Sequence, residues 1–491
     1  MSTRLTPASL DQLPGEVARP AYDRTRLPVG IVHLGLGAFH RAHQAVYTED
    51  ALAGAFGPFG ICGVSLRHAA ARDRLAAQEG LYTVAEKSAA GLRLRMIGCL
   101  KEILVGPEDP AAVAERIADP AVAIVSLTVT EKGYCHDPAT GALAAGHPDI
   151  RHDLAHPERP RSALGTLIAG LDRRRLRGLA PPTVLCCDNL PSNGRTLKGV
   201  ALAFAALRDD ALARWIEAEV AFPCTMVDRI VPATTDRDVR SIAARLGLHD
   251  AAPVLCEPFR QWVIEDRFVA SRPAWEQVGA EFVADTAPYE EMKLRLLNGS
   301  HSALAYLGGL AGFEHIADVM RDAAFRDFMR RMMAEEVAPT LAAPADLAAY
   351  QASLLERFAN PAIRHRTAQI ASDGSQKLPQ RLLGPIRDQL CAGGPIRHLT
   401  LAVAAWMRHA AGRDDQGRTI ALADPLAGRF RAITARAGSD PAALAPGFLA
   451  LSEIFGDDLP REERFTAAVT GWLGTLIAQG ARAAVAECIA G

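Results

Sequence analysis

Ile31-Val-His-Leu34-Gly35-Leu-Gly37-Ala-Phe-His40-Arg41-Ala-His43 reads as an apolar strand, a glycine turn and the start of a helix. Glycines at 35 and 37 let a backbone approach a pyrophosphate closely, and a helix N-terminus stabilises its charge. Gly35, Gly37, Ala38, Phe39 and His40 are therefore candidate dinucleotide contacts. The third position of the usual glycine fingerprint is His40 here, so a plain tight turn is the competing reading. Placement behind the first strand of an α/β half favours the cofactor.

Beyond this unit, short apolar runs alternate with helical periodicity, the pattern of an α/β domain. Strands are predicted at Val29–Leu34, Ile61–Leu66, Tyr82–Glu86, Leu92–Ile97, Ala123–Thr128 and Thr183–Cys187. The third and fourth flank Lys87-Ser-Ala-Ala-Gly91 as a hairpin, which predicts a mixed sheet. Open α/β sheets bind ligands beyond the C-terminal ends of their strands, and three such ends are polar. Leu66-Arg67-His68-Ala69-Ala70 lacks the acid that normally holds the adenosine ribose. Arg67 and Arg72 suit a 2′-phosphate instead, or Arg67 stacks on adenine. Thr128-Val-Thr130-Glu131-Lys132-Gly133-Tyr134 is the second polar end, and Asp188-Asn189-Leu-Pro191-Ser-Asn193-Gly194 the third. The Asn189 amide can polarise a carbonyl oxygen, although Asp-Asn-x-Pro and Asn-Gly are also common turn chemistry.

Near Asp285-Thr-Ala-Pro288 the texture changes. Pro288, Glu290 and Glu291 mark a helix start, with the acids near the positive end of its dipole. From there to Gly491, alanine, leucine and arginine recur at three-to-four spacing. The chain is thus read as an α/β Rossmann-type domain with a mixed sheet over residues 1–285, and a mostly α-helical domain over 286–491. A length of 491 residues calls for more than one core.

Apolar content of 49% and charged content of 22% are those of a soluble globular protein. A net charge of −2 and the lack of any basic-aromatic run argue against a nucleic-acid partner. No stretch offers ~18 uninterrupted apolar residues and the first residues lack a signal-peptide core, so a cytoplasmic protein without a membrane partner is expected. Nine cysteines without Cys-x-x-Cys spacing argue against a disulfide framework and a structural zinc site. Cys135 and His136 have no further ligands nearby, and no metal is expected. Cys186-Cys187 sits in an apolar run whose adjacent residues face opposite cores. Arg173-Arg174-Arg175 reads as a solvated helix face.

Only six of the 54 basic residues are lysine, and one lies in Lys293-Leu-Arg-Leu-Leu-Asn298-Gly-Ser-His301. Arginine stays protonated at any working pH, whereas a buried lysine can lose its proton and act as a base. On an α-helix of about 100° per residue, Asn298 and His301 lie about 140° and 80° round from Lys293. Ammonium, amide and imidazole on one side make a proton-transfer site; a surface lysine near a core histidine is the plainer alternative.

Taken together, Gly35-Leu-Gly-Ala-Phe-His-Arg-Ala-His-Gln44, Thr130-Glu-Lys-Gly-Tyr134, Asp188-Asn-Leu-Pro191, Met226-Val-Asp228-Arg-Ile-Val-Pro232, Glu257-Pro-Phe-Arg-Gln-Trp-Val-Ile-Glu-Asp266, Met292-Lys to His301 and Asp373-Gly-Ser-Gln-Lys377 resemble the long-chain polyol (mannitol) dehydrogenase family. The resemblance runs in order over nearly the whole chain. It implies a Rossmann-type domain, a helical domain, a metal-free active site between them, NAD as cofactor with NADP left open, and a chain acting as a monomer. Carried over residue by residue, it makes Lys293 the catalytic acid/base, with Asn189 and Asn298 polarising the reacting oxygen. His301 orients substrate, Asp228 contacts it, and Glu131 is associated with proton movement. Arg67 and Thr130 join the cofactor side. Hydride reduction of a ketone builds alkoxide character on oxygen, which two amides and an ammonium stabilise. Desolvation bringing the lysine to ~7–8 would let it run the oxidation direction too.

Within the family, Arg364-His-Arg-Thr-Ala-Gln369 to Lys377-Leu-Pro-Gln-Arg381, Leu81–Lys87, Thr130–Cys135 and Phe222–Asp228 look like members that reduce D-fructuronate to D-mannonate. Mannitol-acting members tend to carry arginine where Gln369 stands and glycine where Lys132 stands. A uronate carboxylate can pair with Arg364, Arg366, Lys377 and Arg381, each contact contributing ~1.5–3 kcal/mol. For Arg364 and Arg366, ordinary solvated arginine competes closely. The expectation is therefore reversible NAD(P)-linked reduction of D-fructuronate. Alternatives are D-fructose/D-mannitol or related polyol chemistry, and a non-catalytic dinucleotide sensor.

Overall fold

Eleven strands occur among the described residues of the computed structural model, which are 3–137, 140–342 and 345–491. They are β1 (Val29–Leu34), β2 (Gly60–Ser65), β3 (Tyr82–Ser88), β4 (Gly91–Ile97), β5 (Leu100–Val105), β6 (Ile124–Leu127), β7 (Thr183–Cys186), β8 (Thr225–Asp228), β9 (Val254–Cys256), β10 (Gln261–Glu265) and β11 (Glu281–Val283). All belong to the first of two units, Met1–Ala287 and Pro288–Gly491. Five of them form a wholly parallel sheet in the order β5-β2-β1-β6-β7. The order reverses beside β1, so its C-terminal end is the topological switch point where such sheets bind ligands. Both faces are buried, as parallel strands require. Ile31, Ile61, Ile124 and Leu185 pack on one side, and Val32, Val64, Val125 and Val184 on the other. Cys186 and Cys187 fall in opposite cores, as their alternation demands.

The mixed sheet needs correcting. The hairpin pairs as read, β3 antiparallel to β4, but it joins β9 in a separate three-stranded sheet and leaves the Rossmann sheet purely parallel. The reason lies in its side chains: Glu86, Lys87, Arg93 and Arg95 need a polar face that a sheet covered on both sides cannot offer. A third sheet, β11-β10-β8, carries Asp228 at the end of β8. The arginine triplet also needs correcting. Arg174 is buried and donates to the carbonyls of Ile117, Asp119, Val122 and Ala180 at 2.7–3.1 Å, supplying partners for a loop that would otherwise bury them bare.

The second unit contains no strand among its described residues. Its first helix runs from Ala287 to Met292 with Glu290 in the first turn, then without a break through Lys293–Gly299 into Ser300–Leu310. The Lys293–Gly299 segment is π-helical, and so are Met332–Val337 and Pro379–Leu383. The Arg397–Ala410 helix and the long Glu463–Ala490 run, kinked at Gly480, pack together. Trp406 meets Phe430, Phe448 and Phe455 edge-on in this core. No helix among the described residues is long and apolar enough to cross a membrane.

Candidate active site

β1 ends in a turn that only glycine can make. Gly35 has φ +99°, and a Cβ there would collide with the carbonyl of Thr128. Its N–H and that of Leu36 donate to Val64 O at 2.9 and 3.1 Å, tying the turn to β2. At Gly37 the backbone is ordinary, and a Cβ would meet only Gly35 O at 3.8 Å. The fold does not demand glycine there; the open space suits a pyrophosphate, and the helix Ala38–Ala42 follows at once. The residues present thus fit a dinucleotide.

Beneath the turn lies His33, fully buried. Its Nδ1 bonds Ser126 Oγ at 2.8 Å, and its Nε2 bonds Thr128 Oγ1 at 2.8 Å and Gly35 O at 3.1 Å. The ring stacks on that of buried His40 at 3.4 Å. Burial pushes His33 down to about 3 and His40 well below the ordinary imidazole range. Both stay neutral in the fold while an unfolded histidine takes a proton near pH 6.5. Below that pH the unfolded chain binds more protons, so stability falls as pH drops from about 6.5 towards 3, by up to ~1.4 kcal/mol per unit per histidine. Urea unfolding midpoints are expected to drop between pH 7 and pH 5, and less steeply in His33→Asn. Equal slopes in both proteins would remove His33 from the account.

The loops after β6 and β7 are held by one carboxylate. Asp188 accepts the N–H groups of Val129 and Thr130 at 2.7 and 3.0 Å and the Tyr134 hydroxyl at 2.6 Å. Burial raises its pKa, against the pull of those hydrogen bonds. Thr130 takes φ +64°, a conformation that strains a β-branched residue and persists only when its surroundings enforce it. The next residue is the exposed Glu131, opening a single turn to Tyr134. Exposed Asn189 follows Asp188, and strained Ser192 (φ +44°) closes that loop. Asn193 then donates to Asp188 O at 2.9 Å and Thr225 O at 2.8 Å, and accepts from Thr225 N at 2.9 Å. That stitches the Asn189 loop to β8, whose last residue is the buried Asp228. The sequence reading missed Asp188, Asn193 and His33. An acid directly after a buried strand end was the available signal, and turn chemistry masked it.

In the second unit the π segment alters the geometry expected of Lys293. A π-helix closes i→i+5 hydrogen bonds and turns less per residue than an α-helix, so Lys293 and Asn298 come close to one face instead of lying 140° apart. Asn298 and His301, three apart, are neighbours as α-helix begins again. The third π segment, Pro379–Leu383, packs against the first. Gly299 allows this: a Cβ there would lie 2.8 Å from Arg381 O. Arg381 Nη1 in turn donates to Ser302 Oγ at 3.1 Å and Asn298 O at 3.4 Å. Burial, then the positive neighbours His365, Arg381, Arg357 and Lys377, hold His301 well below the ordinary imidazole range. Its ring packs against Phe358 and His365 at 5.1 and 5.3 Å. Lys377 Nζ is steered by the carbonyls of Ser372 and Ile370 at 2.6 and 3.3 Å, just after Asp373 in strained φ +52°. Arg364 and Arg366 are exposed, and Arg366 faces Glu314 at 3.7 Å. The structure therefore gathers Lys377 and Arg381 around His301 and leaves the other two arginines at the surface. Among the described residues no group of three or more His, Cys, Asp or Glu side chains could hold a metal ion.

A glycine turn at the switch point of a parallel sheet is the arrangement by which Rossmann-type domains hold a nicotinamide dinucleotide, the cofactor class of dehydrogenases. Comparison with known proteins specifies which. The mannitol dehydrogenase Rossmann domain matches residues 29–277 and the mannitol dehydrogenase C-terminal domain residues 285–477. The chain belongs to the mannitol dehydrogenase family. It is 51% identical to D-mannonate oxidoreductase of Escherichia coli K12, over 96% of this chain and 98% of that one. With mannitol 2-dehydrogenase of Pyricularia oryzae it shares 41%, covering 96% and 95%. Pseudomonas fluorescens mannitol 2-dehydrogenase, solved as a ternary complex with NAD and D-mannitol, superposes with a TM-score of 0.87 at 41% identity, covering 99% of this chain and all of that one.

Proposed function

We propose that this enzyme catalyses the reversible, NAD-linked reduction of D-fructuronate to D-mannonate. The observation that carries the reading is the placing of Lys293, Asn298 and His301 along one helical run with Lys377 and Arg381 acting on His301. Reduced nicotinamide, when bound, supplies the hydride. Asn298 and Asn189 donate amide N–H groups to the substrate ketone oxygen and stabilise the charge that grows there. Lys293 gives that oxygen its proton and takes it back in the oxidation direction. Neutral His301 donates one ring N–H and accepts at the other nitrogen, which orients a substrate hydroxyl. Asp228 holds a further hydroxyl, and Glu131 moves the proton onward. Lys377 and Arg381 pair with the uronate carboxylate, which a neutral polyol lacks. The relation to D-mannonate oxidoreductase supports this substrate. The relative holding D-mannitol favours a second reading, D-fructose and D-mannitol.

Cofactor oxidation followed at 340 nm decides between them. The kcat/KM for D-fructuronate is expected to exceed that for D-fructose by at least about 100-fold, as two charge-assisted contacts imply. Lys377→Met is expected to cost fructuronate about tenfold or more while leaving the weak fructose rate nearly unchanged. Preference for fructose would return the enzyme to polyol chemistry.

A further inference from the structure

Within the first unit a cavity of ≈ 780 Å³ opens where β2, β5 and β6 end, lined there by Leu66, Arg67, Gly106 and Val129. Its size is that of ligand pockets, roughly 300–1,000 Å³. Its place beyond the second strand is where a Rossmann domain holds the adenosine ribose. An acid there normally binds the ribose 2′-hydroxyl and repels a 2′-phosphate. This chain has Arg67 instead, and Arg159 and Arg161 line the same cavity.

These arginines differ from their neighbour. Arg72, five residues on, bonds Asp73 at 2.8 Å and also Glu108. No ion pair joins Arg67, Arg159 or Arg161 to a carboxylate among the described residues. With Lys132, four cations line the cavity against the two carboxylates of Asp149 and Glu158. A guanidinium fork is the side chain best matched to a phosphate. Resting on the reading of the chain as a nicotinamide-linked enzyme, we propose that the cavity takes the adenosine end of the cofactor and that Arg67, with Arg159 and Arg161, binds a 2′-phosphate, so that NADP(H) serves as well as NAD(H).

Isothermal titration calorimetry of the full-length protein with NAD⁺ and NADP⁺ tests this without any sugar substrate, so failure of the fructuronate reading leaves it standing, and the reverse holds too. The wild-type enzyme is expected to bind NADP⁺ no more than about tenfold more weakly than NAD⁺. Arg67→Ala is expected to lower the NADP⁺-to-NAD⁺ affinity ratio about tenfold or more, one charge-assisted contact's worth. Arg67→Glu is expected to shift the ratio further in the same direction by restoring an acid for the ribose. The double variant Arg159→Ala/Arg161→Ala, whose side chains are exposed and need not support the fold, is expected to lower it too. Wild-type binding of NADP⁺ weaker than that limit would overturn the proposal. So would equal weakening of both cofactors by Arg67→Ala, which means that Arg67 stacks on adenine.

Discussion

Lys293→Ala is expected to lower kcat for ketone reduction by about 10³- to 10⁴-fold, the upper range for a general acid that also stabilises charge. NAD⁺ affinity, read by calorimetry, is expected to stay within a few-fold, because the glycine turn at β1 and Lys293 belong to different units of the chain. Lys293→Arg separates charge from proton transfer. Arginine keeps the cation but cannot give up its proton at any working pH, so it fails in the oxidation direction and does not restore the wild-type pH profile. An enzyme in which lysine merely paired with substrate would be largely rescued by arginine. Should Lys293→Ala keep more than a tenth of the wild-type rate with the same pH dependence, another residue is the acid/base.

How far this site was legible in the sequence depends on which physical property a residue exposes to a linear reading. Lysine scarcity pointed to Lys293 and Lys377, and the apolar-glycine-helix pattern pointed to β1 and its turn. Short apolar runs identified six strands, but β5 begins Leu-Lys-Glu, β8 and β10 carry polar residues at their ends, and β9 and β11 span only three residues each. The π insertion was invisible because no residue type encodes it. A reading that assumes α-helical steps spreads Lys293 and Asn298 apart, whereas the π segment, packed at Gly299 against Arg381, brings them close to one face. Asp188 was hidden for a different reason. Its work is to satisfy backbone N–H groups some sixty residues upstream, a long-range task that leaves no local pattern. The hairpin was read as a pair but assigned to the wrong sheet, since its pairing is local and its surroundings are not.

Gly35→Ala and Gly37→Ala are expected to part company, and their difference tests whether the turn that decides the fold is also the cofactor turn. At Gly35 an alanine meets two penalties. A left-handed φ costs an L-residue about 1–2 kcal/mol, and the new Cβ collides with the Thr128 carbonyl. Relief requires the backbone to move, which strains the bonds from Gly35 N to Val64 O, from Thr128 Oγ1 to Gly35 O and from His33 to Gly35 O. Each is a net contribution of about 1 kcal/mol. The sum, about 3–5 kcal/mol, is expected to lower the Tm by roughly 10 °C in scanning calorimetry and to abolish measurable NAD⁺ binding. At Gly37 neither penalty applies: φ is ordinary and the nearest atom, Gly35 O, is 3.8 Å from the Cβ. Gly37→Ala is therefore expected to keep its Tm within about 2 °C of wild type, the exchange at a helix N-cap costing under about 1 kcal/mol. Its methyl group, however, stands where a pyrophosphate must approach the backbone, and NAD⁺ affinity is expected to fall at least about tenfold, the 1.4 kcal/mol of a displaced phosphate contact. A Gly37→Ala enzyme as stable as wild type that binds NAD⁺ equally well would show that the cofactor does not approach at Gly37, and the open space there would then belong to no ligand.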